Sequence, residues 1–274
     1  MENGTAQNGT VHNAVCSSQS ANGSCEVWSC NESDSSSADH LVIMVHGILG
    51  SSNDWKYAAE RFVRNLPDKV FVHCSEKNMY RLTLDGVDVM GERLAQEVLE
   101  VIQKNPNLQK ISFVAHSVGG LVARYAIGRL YRGPREDDAE EPNANPNKEQ
   151  PRATIGGLEA VNFITVATPH LGSRGNKQWE DCLNEKYPHV VHEEHCKACD
   201  ETDLAEPFST DDKFDKIEEE LVTGLSRVSW EKIDVSFHTS RLRLAAHSVI
   251  QVKDESMHIE GADVVQHLID HFVL

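Results

Sequence analysis

The 274 residues leave room for one large α/β domain, and a charged fraction of 25% beside 39% hydrophobic residues suits a water-exposed globular chain. A formal net charge of −17 repels nucleic acid and anionic membrane surfaces, so neither is expected as a partner. Seven cysteines at scattered spacing form no even disulfide framework, no apolar run is long enough to span a bilayer, and no signal-like segment opens the chain; a cytoplasmic setting is therefore expected.

Residues 1–40 are mainly Asn, Ser, Gly, Thr and Ala, with too few apolar side chains to offset the entropy of ordering, and are expected to be a disordered tail. Order begins at Leu41, where LVIMVHG reads as a strand buried on both faces. Trp55, Ala59, Phe62, Val63 and Leu66 share one helical face, and Val70–His73 is a second buried strand. Helical spacing returns at Val87, Met90, Leu94, Val98 and Ile102, and Lys110–Ala115 forms the next strand. A helix over Val118–Leu130, a polar loop over 133–152 and a strand over Ala160–Ala167 follow.

This alternation predicts a doubly wound, mainly parallel sheet over residues 41–274. Residues 179–220 are acidic and poor in apolar side chains, and read as a loosely ordered segment. Beyond them the pattern predicts a helix near Glu218–Leu225, strands at Ile233–Phe237 and Ser248–Val252, and a final helix over Ile259–Phe272.

Ala115-His116-Ser117-Val118-Gly119, between a buried strand and a helix, has the pattern of a nucleophile elbow. Its turn is so tight that only small residues fit two places before and after the serine. Ser117 is thus the candidate nucleophile. His46-Gly47-Ile48-Leu49-Gly50 ends the first core strand, and the N–H groups of Ile48 and Val118 are the candidate oxyanion donors. The general base should lie on a loop after the last strand. His258 fits that place; His247 is the rival, at the start of the strand expected over Ser248–Val252 and so at the opposite edge of the sheet. His116 and His170 are expected to orient the neighbouring turn and strand end.

The HGILG, AHSVGG, TPHLGS and HIEGADV segments resemble the serine esterase family known as domain of unknown function 676, a lipase-like branch of the α/β hydrolases. The resemblance implies an α/β-hydrolase fold, Ser117 as nucleophile, His258 as base and a lipid or other carboxylic ester as substrate, with no cofactor. Similar proteins carry a lid and an acid-bearing core strand after the GNKQ found at Gly175–Gln178, whereas here that segment runs straight into the acidic stretch, so the sheet is expected to be incomplete after residue 178. Asp234 and Asp254 are the candidate substitute acids. If neither serves, the alternative is a weak or inactive hydrolase-like protein that binds a lipid or a protein partner. His192, His195, Cys196 and Cys199, with Cys182 nearby, resemble half of a zinc site. His195 and Cys196 are adjacent and no second CxxC lies at the usual distance, so no metal is expected there.

Overall fold

A computed structural model describes residues 15–19, 25–29, 38–134, 152–171, 185–198 and 213–274. Strands β1 (Val15–Gln19), β2 (Cys25–Ser29), β3 (His40–Val45), β4 (Val70–Cys74), β5 (Lys110–His116), β6 (Tyr131–Arg132), β7 (Thr154–Ile155) and β8 (Leu158–Val166) form one sheet, in the order β1-β2-β4-β3-β5-β8-β7-β6. Its centre, β4-β3-β5-β8, is parallel. Helices α1 (Lys56–Asn65), α2 (Val87–Lys104) and α3 (Val118–Leu130) supply the crossovers.

Alternation along the central strands sends side chains to both faces. Leu41, Ile43 and Val45 of β3 pack with Phe113 of β5 against Met90, Leu94 and Val98 of α2 and Val122 and Ala126 of α3. On the other face Val42 and Met44 meet Trp55, with Phe62 of α1 and with Val265, Ile269 and Phe272 of the C-terminal segment. Helices on both faces of a mainly parallel sheet, with the candidate nucleophile Ser117 at the β5–α3 turn, are the α/β-hydrolase architecture.

Three expectations require correction. First, β1 and β2 fall inside the Asn/Ser-rich segment expected to be a disordered tail; the other residues of 1–37 lie outside the described ones. β2 pairs antiparallel with β4, and Val27 is completely buried against the α1 side of the core. One inward valine and a backbone ladder on an existing sheet outweigh a weak local propensity.

Second, residues Ser248–Val252 are not a strand. Helix α5 (Ala246–Val249) occupies the place and is followed by a turn in which Val252 N–H donates to Val249 O at 2.9 Å. The buried valines, 249 and 252, are a helical turn apart and do not alternate.

Third, the acidic segment contains β9 (Val190–Cys196), which pairs antiparallel with β10 (Trp230–Val235) in a separate two-stranded sheet. The strand expected over Ile233–Phe237 is thus shifted and lies outside the main sheet. The two-stranded sheet touches α4 (Lys213–Ser226) through Trp230 Nε1–H to Leu225 O and α7 (Ala262–Asp270) through Glu193 and His267, while α6 (Glu255–His258) precedes α7 in the chain. Most of the 133–152 loop and the stretches 172–184 and 199–212 lie outside the described residues.

Candidate active site

At the end of β5 the backbone turns through Ser117, whose φ of 54° and ψ of −133° are left-handed values that a side chain with a Cβ adopts only at a cost. Hydrogen bonds impose this conformation. Ser117 N–H donates to Val166 O of β8 at 2.9 Å, and the Thr168 hydroxyl donates to Ser117 O at 2.9 Å. Glycines then let neighbouring backbone close in. A Cβ on Gly119 would collide with the carbonyl oxygens of Val45 and His46, and one on Gly47 would stand 2.8 Å from Ser117 Cβ. The small-residue pattern of the sequence therefore reflects direct packing of the β3 turn on the β5 elbow.

The Ser117 hydroxyl meets the ring of His247, with Oγ 2.9 Å from Nε2. The hydrogen bond anticipated for His258 is made by its rival. His258 ends α6, donates its backbone N–H to Asp254 O at 2.7 Å, and makes no hydrogen bond to Ser117. The helical course of 246–249 explains the difference: His247 is not at the far end of a strand but on a short helix packed over the elbow.

His116 holds it there. Its buried ring packs at a tilt on that of His247, with centroids 4.5 Å apart, and its Nε2–H donates to His247 O at 2.7 Å. Burial, then the nearby His247, depress the His116 pKa to about 3, so the ring is neutral and can donate from only one nitrogen. His247 is also held below the ordinary imidazole value, first by burial and then by the Lys253 ammonium. A neutral imidazole with its proton on Nδ1 leaves Nε2 free to accept the serine proton. Lys253 in turn is paired with Asp54 at 2.8 Å, which ties the segment after α5 to the residues following the glycine turn.

No carboxylate among the described residues hydrogen-bonds His247. Asp234 is exposed on β10, and Asp254 accepts from Ser256 N–H at 2.8 Å and from its hydroxyl at 2.5 Å as the N-cap of α6. Those Ser256 bonds hold the Asp254 carboxyl below its usual value. Neither aspartate is arranged as a triad acid.

Val118 is the first residue of α3, where an N–H has no partner within the helix, and Ile48 sits in the turn packed on the elbow. The Ile48 side chain is exposed. The turn is braced by Gly50 N–H to Gly47 O at 3.1 Å and by Leu49 N–H to the Thr83 hydroxyl at 2.8 Å. His170 joins β8 to α3, with Nε2 2.9 Å from Thr165 Oγ1 and Nδ1 3.2 Å from Arg124 Nη1. His192 and His195 are exposed on β9, Cys196 is half-buried, and Cys182 and Cys199 lie outside the described residues.

A strained serine between strand and helix, hydrogen-bonded to a neutral histidine, defines a lipase-like serine hydrolase site. The profile described as "Putative serine esterase (DUF676)" matches residues 35–193, more than half of the chain, and the chain belongs to that family. Among curated relatives, "Putative lipase ROG1" of Saccharomyces cerevisiae is 30% identical over 137 residues, which cover 48% of this chain and 17% of that protein. "Putative lipase C4A8.10" of Schizosaccharomyces pombe is 30% identical over 144 residues, 50% of this chain and 16% of the relative. The chain thus matches less than a fifth of the length of either. Of solved structures, the mature lipase BlEst2 of Bacillus licheniformis is 21% identical, with a TM-score of 0.33 over 48% of this chain and 42% of that one. Among the described residues no helix is long and apolar enough to cross a membrane.

Proposed function

We propose that the chain hydrolyses carboxylic esters, lipid esters foremost, through an acyl-serine intermediate on Ser117. The observation that carries this reading is the 2.9 Å contact between Ser117 Oγ and His247 Nε2 on a strained elbow. His247 takes the hydroxyl proton as the oxygen attacks the ester carbonyl. The N–H groups of Ile48 and Val118 stabilise the oxyanion, each worth about 10²–10³ in turnover by analogy with other hydrolases. His247 then returns the proton to the leaving alcohol and activates water to release the acid. His247 is open to solvent on its outer side, which gives that water an approach. A lipid substrate is favoured by the family and by the relatives named as lipases.

The absence of a carboxylate on His247 among the described residues favours a second reading, a slow or inactive hydrolase-like binder. Without a carboxylate on Nδ1 the imidazolium of the transition state is less stabilised, and loss of that group lowers turnover about 10⁴-fold in a related triad. Fluorophosphonate labelling of the wild-type chain, Ser117→Ala and His247→Ala separates the two. An activated serine gives labelling that disappears in Ser117→Ala and is strongly slowed in His247→Ala. Wild-type labelling no faster than that of Ser117→Ala refutes the enzyme reading. Hydrolysis of p-nitrophenyl esters of increasing chain length then distinguishes esterase from lipase preference.

A further inference from the structure

His267 of α7 and His271, the C-cap residue that closes it, are four residues apart, hence near one face. The β9–β10 sheet faces them with Glu193 and Glu231. His267 is 3% exposed, and its Nε2 lies 2.8 Å from Glu193 Oε1. The His271 ring lies against it at a tilt, with centroids 3.9 Å apart, and His271 Nδ1 lies 3.0 Å from Glu231 Oε1. The ligating atoms of Glu193, His267 and His271 all fall within 4.8 Å of one another.

We propose that Glu193, His267 and His271 form a Zn²⁺ site that clamps the two-stranded β9–β10 sheet to α7, with Glu231 orienting His271 and water completing the coordination. Two imidazoles and a carboxylate are a donor set suited to this ion, and two histidines at i and i+4 on a helix are a recurrent way of presenting it. Bonds of about 2.0–2.1 Å to a tetrahedral ion set ligands roughly 3.3 Å apart. The His267–Glu193 pair is already close to that spacing. Glu193 and His271, with side chains 29% and 38% exposed, have the freedom to close the rest by small rotations.

A simple His–Glu hydrogen bond accounts for His267 alone. It does not account for a second imidazole packed beside it with a carboxylate of its own. A ligating histidine whose other nitrogen donates to a carboxylate is the usual outer arrangement of a zinc site, and Glu231 supplies it. The partial exposure of the site leaves an entry path, and the net charge of −17 favours cations in general. The residues leading into β9 already meet α7 through His189–Asp263 at 2.9 Å and Tyr187–Asp270, so the ion would act on a preformed interface.

The test uses the full chain stripped with a chelator and titrated with ZnCl₂ and CoCl₂. The site predicts one ion per chain, a visible Co²⁺ spectrum of low-coordinate nitrogen and oxygen ligation without a thiolate charge-transfer band, and a Tm raised by about 5–10 °C at a hundredfold excess over Kd. His271→Ala should weaken binding at least 100-fold and Glu231→Gln about 10–100-fold. Glu193→Gln, which keeps an acceptor for His267, serves as the ligand variant should His271→Ala fail to fold. Cys196→Ser/Cys199→Ser should bind as the wild type does. Absence of micromolar binding, binding undiminished by the ligand variants, or binding lost with the cysteines overturns the proposal.

Discussion

The left-handed backbone at Ser117 should be measurable as stored strain by comparing Ser117→Gly with Ser117→Ala. Both substitutions remove the hydroxyl and its bond to His247, so the difference between them isolates the Cβ at φ 54°, ψ −133°. A non-glycine residue in such a region costs about 1–3 kcal/mol. Glycine relieves that cost but loses about 0.5–1 kcal/mol through the extra freedom of the unfolded chain. Ser117→Gly should therefore exceed Ser117→Ala in stability by about 1 kcal/mol, or about 2–4 °C in Tm for a chain of this size. Urea denaturation of the two variants at neutral pH reads the difference directly, with unchanged m-values required for the comparison. Equal stability, or a more stable alanine variant, would refute the claim that the elbow is held against a backbone preference.

Two further outcomes follow from the titrating groups. Because burial and Lys253 hold His247 below the ordinary 6.5, and only its neutral form accepts a proton, kcat/KM for ester hydrolysis should stay level through neutral pH. It should fall only on acidification to a midpoint below 6.5; a midpoint at 7 or above would indicate an unseen carboxylate partner. The second concerns the buried His73–Glu97 pair at 2.9 Å, where Glu97 also accepts from Ser75 Oγ and Glu76 N–H. Burial pulls the His73 pKa down, but hydrogen bonds and charges from Glu26 and Glu97 outweigh it and raise the value to about 9. Burial pushes Glu97 up, and bonding to His73 overcomes this and lowers it. The histidine contribution is complete below 6.5 and lost as pH rises through 9, whereas the glutamate contribution is present above 4.5 and lost on acidification through its folded value. Urea titrations should show stability declining between pH 6.5 and 9, and Glu97→Gln should cost about 3–5 kcal/mol near pH 6 and flatten that slope.

The parallel core was legible because each of its strands is an apolar run closed by a turn and each crossover helix keeps its apolar spacing. The elbow at Ser117 was legible for a related reason: packing on the β3 turn leaves no room for a Cβ at Gly119, so geometry is written into composition. The base was not. Ser248-Val-Ile-Gln-Val has the branched side chains of a strand, and only in the structure does the burial of the adjacent Gln251 and Val252 break the alternation a strand would show. His116 gave no hint of its grip on His247 because that contact joins residues 131 positions apart. β9 was hidden in an acidic stretch, since its polar side chains find partners on β10 and α7 and not in an apolar core.

The β1–β2 pair has a consequence for the handling of the protein. Without it, β4, with Val70 and Val72 fully buried, would form the outer margin of the sheet and offer an apolar row of unpaired amides to any other chain. With it, the margin is β1, five residues reading VCSSQ, short and largely polar. Short edge strands of this kind discourage sheet-to-sheet addition between molecules. Trimming the Asn/Ser-rich leader to aid crystallisation would thus expose an adhesive edge, turning an apparently dispensable extension into a determinant of solubility.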